Sequence, residues 1–151
     1  MRALATYDIT ALLLHKKRYY GGPSGELAPY DFAVGWGPMS DSAVLRHLTI
    51  SQGNRFFFWE YKQQPPIPDD QINCHAANMH LIPSSGAVER AMWWASVGHV
   101  IRMTGYLVEA RYPGWNPWRS SLSRTDTGNG ACELMWVESC EVLPQAPQAG
   151  G

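Results

Sequence analysis

Positive charge is not in surplus anywhere in this sequence. Twelve Lys and Arg stand against thirteen Asp and Glu, for a formal net charge of −1. Proteins that grip a duplex through its phosphates carry a basic stripe, because released counterions supply much of the affinity. The single basic run, Lys16-Lys17-Arg18 beside His15, is too short for that, which argues against duplex nucleic acid as a partner. Long apolar runs are also missing, so no segment reads as a membrane span. The apolar stretch at residues 11–14 is too short for a signal-peptide core, and the basic residues follow it instead of preceding it. The expectation is a soluble chain. Cysteine is scarce and odd in number: Cys74, Cys132 and Cys140. They form no close pairing, so one disulfide with a spare thiol and three reduced thiols remain equally open. No cofactor motif and no internal repeat is present.

Aromatic residues, by contrast, are plentiful. Seven Trp and seven Tyr raise the aromatic share to 12%, which favours strands and recognition surfaces alike. With 45% hydrophobic and 17% charged residues, the 151-residue chain has the composition of one globular domain. A chain of this length buries roughly two thirds of its unfolded surface and needs no disulfide or metal staple. The domain is placed at residues 1–143, and the Gln/Ala/Pro/Gly tail at residues 144–151 is predicted to be disordered.

Periodicity predicts mostly strands. Residues 6–14 alternate, with Tyr7, Ile9, Ala11 and Leu13 on one face. A Gly/Pro-rich passage over residues 25–39 carries Tyr30, Phe32, Val34 and Trp36 at alternate positions. Ser40 is a candidate N-cap for a short helix over residues 41–48, and Gly53-Asn54 a turn before an aromatic strand at residues 55–61. A strand over residues 74–82 ends at Pro83. Ser84 or Ser85 then caps a helix over residues 86–96 whose inner stripe is Val88, Ala91, Met92 and Ala95. Gly98 sits where a helix C-cap glycine belongs. A long strand over residues 99–112 has Gly105 near its middle, where a bulge or bend is expected. Strands at residues 118–123 and 133–142 close the chain. Strands, one helix, a long bent strand and a closing strand suggest a β-rich fold, all-β to α+β: a small OB-like, partly open barrel with one or two short helices. The alternative is a two-layer β-sandwich with peripheral helices.

Candidate chemistry is thin. Asp126-Thr127-Gly128 matches the aspartic-protease tripeptide, but that chemistry needs two carboxylates in a buried dyad, and Arg124 lies two residues away. An Asx-type turn is the plainer reading. His75 and His80 are five residues apart and point to opposite faces of a strand, so no metal site is assigned. Asn78 and His80 share a face and form a candidate polar pair. Cys132 and Glu133, with His80, are the remaining candidates for a nucleophile and its base. The most informative segment is Tyr112-Pro113-Gly114-Trp115-Asn116-Pro117-Trp118-Arg119. Two prolines and a glycine make it a rigid loop, and Tyr112, Trp115, Trp118 and Arg119 suit stacking against a ring. The plainer alternative folds both indoles back over a barrel end. Met92-Trp93-Trp94 reads as core plus helix edge.

Several segments carry a resemblance: Asp31-Phe32-Ala33-Val34-Gly35-Trp36-Gly37-Pro38-Met39-Ser40-Asp41, Ala77-Asn78-Met79-His80-Leu81-Ile82-Pro83, Gly105-Tyr106-Leu107-Val108, Trp118-Arg119-Ser120-Ser121-Leu122-Ser123-Arg124 and Thr127-Gly128-Asn129-Gly130-Ala131-Cys132-Glu133. From about Tyr7 to Val142 the chain resembles an uncharacterised bacterial protein family with no assigned activity. Members of that family often bear an N-terminal membrane anchor, which implies a cell-envelope setting. The resemblance brings no catalytic residue with it.

The leading expectation is a non-enzymatic binding module that uses the exposed aromatic loop, without metal or cofactor. Its partner would be a carbohydrate, another ring-bearing ligand, or another protein. The alternatives are a small hydrolase or transferase built from His80, Arg124, Asp126, Cys132 or Glu133, and a self-assembling structural subunit.

Overall fold

In the computed structural model, which describes residues 1–111, 113–123 and 132–144, strands dominate. The first, β1, runs over Arg2–Arg18 and is long because it serves two partners. Its N-terminal part pairs antiparallel with β6 (Val100–Ala110), and its C-terminal part pairs antiparallel with β2 (Tyr30–Gly35). The register shifts between Leu13 and His15, leaving Leu14 as an extra residue where the strand changes partner. Next to β2 lies β5 (Ala76–Pro83), then β8 (Glu133–Val142) in a parallel pairing, then β6 again. The pairings thus return to β1, and the sheet is partly ring-like. A two-residue strand, β7 (Trp118–Arg119), hangs on the end of β6.

The ring's interior holds the main core. Ile9, Ala11 and Leu13 of β1 meet Phe32 and Val34 of β2, Met79 and Leu81 of β5, Met103 and Leu107 of β6, and Met135 and Val137 of β8. Helix α4 (Gly86–Trp94) adds Val88 and Met92, with Ala95 just beyond it. Three of the four residues expected on its inner stripe are therefore buried in this core. Ser85 caps it by accepting from the Val88 N–H. At its other end Lys16 reaches across from β1 and donates to the carbonyls of Trp93 (2.7 Å) and Ala95 (2.6 Å). Those carbonyls have no partner within the helix, and a cation there also complements the helix dipole. Lys16→Met is expected to cost about 1 kcal/mol and lower Tm by a few degrees, read by thermal circular dichroism.

Outside the ring, a hairpin of β3 (Thr49–Gly53) and β4 (Phe56–Glu60) packs a second apolar layer. Ile50, Phe57 and Trp59 cover Leu14 of β1, Ala33 of β2 and Ala76 of β5. Val44, Leu45 and Leu48 join that layer, as their helical spacing predicts.

Several local expectations shift. The segment at residues 41–48 does not form one helix: a 3-10 turn at Gly37–Ser40 precedes a single turn, α2, at Ser42–Leu45. Its cap is Asp41, which accepts from the Ala43 N–H at 2.9 Å, and not Ser40. Two short helices carry too few apolar residues to show a period: α1 (Gly22–Leu27), begun by Pro23, and α3 (Asp69–Cys74), with two Asp in its first turn. The strand after α3 accordingly begins at Ala76 and not at Cys74. The long strand does carry its irregularity at Gly105, where the β6–β8 register shifts. No helix among the described residues is long and apolar enough to cross a membrane. The expected tail, from residue 145 onward, lies outside the described residues.

Candidate functional site

The outer face of β2 and β5 builds the site. Alternation turns Phe32 and Val34 inward, which leaves Asp31 and Ala33 facing out, opposite His80 and Asn78. Asp31 is fully buried there, beneath the tip of the β3–β4 hairpin. A carboxylate offers only acceptors, and its neighbours supply donors from three elements. His80 Nδ1 lies 2.9 Å from Oδ1, the Arg55 guanidinium 2.6 Å from the same oxygen, and Asn78 donates to Oδ2 at 3.2 Å. Asn78 is held in turn: its amide also donates to the Arg55 carbonyl, and its oxygen accepts from Gln52 at 2.6 Å. Gln52 continues the chain to His15 Nδ1, 2.8 Å away. Asn78 and His80 are thus brought together, as their spacing predicts, but through Asp31.

Arg55 ties this hub to the surrounding loops. Gly53 pairs with Phe56, so the hairpin turns on Asn54 and Arg55 alone, and both have positive φ (51° and 70°). A two-residue turn of that kind favours glycine at the second position, and Arg there is strained. Its contacts explain how it is held: the ion pair to Asp31, a bond from its guanidinium to the Ser24 carbonyl at 2.9 Å, and stacking over Tyr19 and Trp118. The Tyr19 hydroxyl accepts from the Arg55 N–H. Among the described residues the Arg55 Nε is buried without a hydrogen-bond partner.

A cleft of about 540 Å³ opens beside this hub. Arg55 and His80 line it together with Trp118 and Arg119, Ser24, Asn54 and Phe56, Pro117 and Cys132. The His80 ring lies 5.0 Å from the Trp118 ring, tilted against it. When Nδ1 donates to Asp31, Nε2 is the nitrogen left for other partners.

No protein-family model matches the chain. No curated protein matches it either. Among solved structures it is similar to the protein PriB from Ralstonia solanacearum, at 8% identity over 93% of this chain and 98% of that one, with a TM-score of 0.40. An overlap that loose carries neither fold nor function across.

The aromatic loop divides the two expectations made for it. Trp115 stands 67% exposed, while Trp118 is half-buried, packed against the cluster that holds Ala110 and against the His80 ring. Arg119 is exposed at the cleft, and Tyr112 lies outside the described residues. Arg124 and Asp126 lie outside them too, together with the whole Asp126-Thr127-Gly128 tripeptide. Glu133 is buried, but it shares the interior side of the sheet with Met79 and Met135 and so stands across the sheet from His80. Among the described residues no three His, Cys, Asp or Glu gather as a metal site. His75 sits apart, against the Gln71 carbonyl and Gly37. The two residues that spacing missed are Asp31 and Arg55. The visible signal for Asp31 was a charge set within the apolar alternation of Tyr30, Phe32 and Val34; Arg55 had none.

All three cysteines are free thiols. Burial, then the charges of Glu133 and Asp31, push the Cys132 thiol up to about 11, and burial pushes Cys140 up to about 11 as well. A neutral thiol at pH 7 is a poor nucleophile. Raised thiol pKa values also make stability fall with pH. Above about pH 9 the unfolded chain releases these protons, while the folded chain keeps them until about pH 11. Urea midpoints are expected to decline across that window, and the decline to flatten in Cys132→Ala/Cys140→Ala.

Proposed function

We propose that this chain is a non-enzymatic binding module of OB type, taking a ring-bearing ligand in the cleft at Trp118. The pairing order supports an OB-type barrel: a long first strand shared by β2 and β6, the parallel β5–β8 pair, and α4 between β5 and β6. On such barrels, oligonucleotides and oligosaccharides bind at the second and third strands and at the loops after the first and fourth strands. Those loops correspond here to the segment bearing Tyr19 and Ser24 and to the one bearing Trp115 and Trp118. Most of the β2–β5 outer face is closed by the β3–β4 hairpin, so an extended strand has no room to lie across it. Binding is confined to the end where the two loops meet.

The observation that carries this reading is Trp118, in ring contact with His80 and Arg55 and lining one cleft with them, Arg119 and Asn54. A rigidly held indole beside hydrogen-bonding groups binds rings at low entropic cost. Tryptophan fluorescence is expected to respond to at least one of oligosaccharides, peptidoglycan fragments or single-stranded oligonucleotides. Trp118→Ala should weaken that binding about tenfold or more. No response from any of these ligands would sink the reading.

One observation favours a second reading, a hydrolase or transferase: His80 held through Nδ1 by a buried Asp31 is the pairing that orients a general base. The raised Cys132 thiol opposes a cysteine nucleophile. Loss of turnover in His80→Gln, with ligand binding kept, is the result that would favour catalysis.

A further inference from the structure

A second, smaller cleft of about 350 Å³ adjoins the first, and the two share Ser24, Pro117 and Trp118 as a common wall. The rest of its lining is Pro23 and Leu27 of α1, Ala110, Trp115 and Asn116. Both volumes fall within the roughly 300–1,000 Å³ usual for small-molecule sites. Their chemistry differs. The larger cleft carries Arg55, His80 and Arg119, whereas among the described residues no charged side chain lines the smaller one, which is mostly apolar with Asn116 and Ser24 as its polar groups.

Resting on the binding reading above, we propose that the two clefts are consecutive subsites for a neutral oligosaccharide, one sugar ring on each side of the Trp118–Pro117 wall. The exposed indole of Trp115 and the proline faces suit the C–H face of a pyranose, and Asn116 and Ser24 meet its hydroxyls. The charge inventory selects sugar over nucleotide. A dinucleotide places a phosphate between its two rings, and among the described residues the shared wall offers no cation to neutralise it. Nor is Arg55 free for that purpose, since its charge is spent on the buried Asp31, and Arg119 lines the larger cleft only, off the shared wall.

The test is isothermal titration calorimetry with neutral monosaccharides and their homologous di- and trisaccharides, and with oligothymidylate in a parallel arm. At least one disaccharide is expected to bind about tenfold tighter than its monosaccharide, or better, because the second ring adds a stacking contact. Trp115→Ala should bring that ratio close to one, and Trp115→Phe should restore most of it. Trp115 is exposed, so both variants should keep the wild-type circular dichroism. A disaccharide that binds no better than its monosaccharide would overturn the two-subsite proposal while leaving the binding reading intact. Binding of oligothymidylate alone would overturn the choice of sugar and again spare the reading. Silence in both arms would bring down the proposal and the reading together.

Discussion

Asp31→Ala is expected to cost about 3–5 kcal/mol, the usual range when one partner of a buried charged network is removed. At this chain length that lowers Tm by about 10 °C or more. The reason is the number of groups that depend on one carboxylate. Arg55, His80 and Asn78 all donate to Asp31, and the other bonds that Arg55 and Asn78 make, to the Ser24 and Arg55 carbonyls, bring no negative charge to replace it. Arg55 would lose its ion pair while keeping a strained positive-φ backbone. The effect should therefore reach beyond stability: with the hairpin tip released, the cleft that Arg55 and His80 line loses its shape. Urea denaturation gives the first number and tryptophan fluorescence of the cleft the second. Arg55→Ala should be costly too, and the double variant should cost clearly less than the sum, because the two side chains share one interaction. Strict additivity would show that Asp31 and Arg55 act independently, contrary to the geometry.

Gly105→Ala carries the second large expectation. A Cβ at this position would lie 1.9 Å from the Trp136 carbonyl oxygen and 3.0 Å from its carbon. Both contacts are backbone, so no side chain can rotate away. β6 and β8 must separate or slip at the point where their register shifts between Thr104 and Gly105. Overpacking usually costs about 1–3 kcal/mol when side chains can yield. Here the backbone itself must yield, and a loss of about 3 kcal/mol or failure to fold is expected. Gly98→Ala makes the comparison: φ is +95° but nothing lies within 4 Å of the added Cβ, so only backbone strain opposes it. That variant should fold, with a cost of about 1 kcal/mol. Equal losses in the two would remove close packing as the cause at Gly105.

These two sites differ in how far they could be read in advance. An interior glycine in a long strand already pointed to an irregularity, since a strand has little reason to give up a packing side chain. The β8 bounds, Glu133–Val142, and the helix beginning at Gly86 also follow from local pattern. A capping serine at 84 or 85, resolved as Ser85 in the structure, and the inward face of β1 do so as well. In each case the signal is a pattern of residue types within a few positions along the chain, whatever partners the fold later supplies. The helices α1 and α3 stayed hidden because they are six residues long and bury one residue each.

The site is another matter. Asp31, Arg55 and His80 are separated by 24 to 49 positions, and no periodicity links them. Composition and periodicity by themselves determined a β-rich chain with a helix late in the order, an aromatic loop after the long strand, and two polar side chains sharing a face of β5. Only the tertiary structure decided that β2 and β5 pair with Asp31 opposite His80, and that the hairpin lays Arg55 over them. The physical reason is register. Side chains alternate between the two faces of a strand, so a slip of one residue would turn Asp31 and Asn78 into the apolar interior and dissolve the hub.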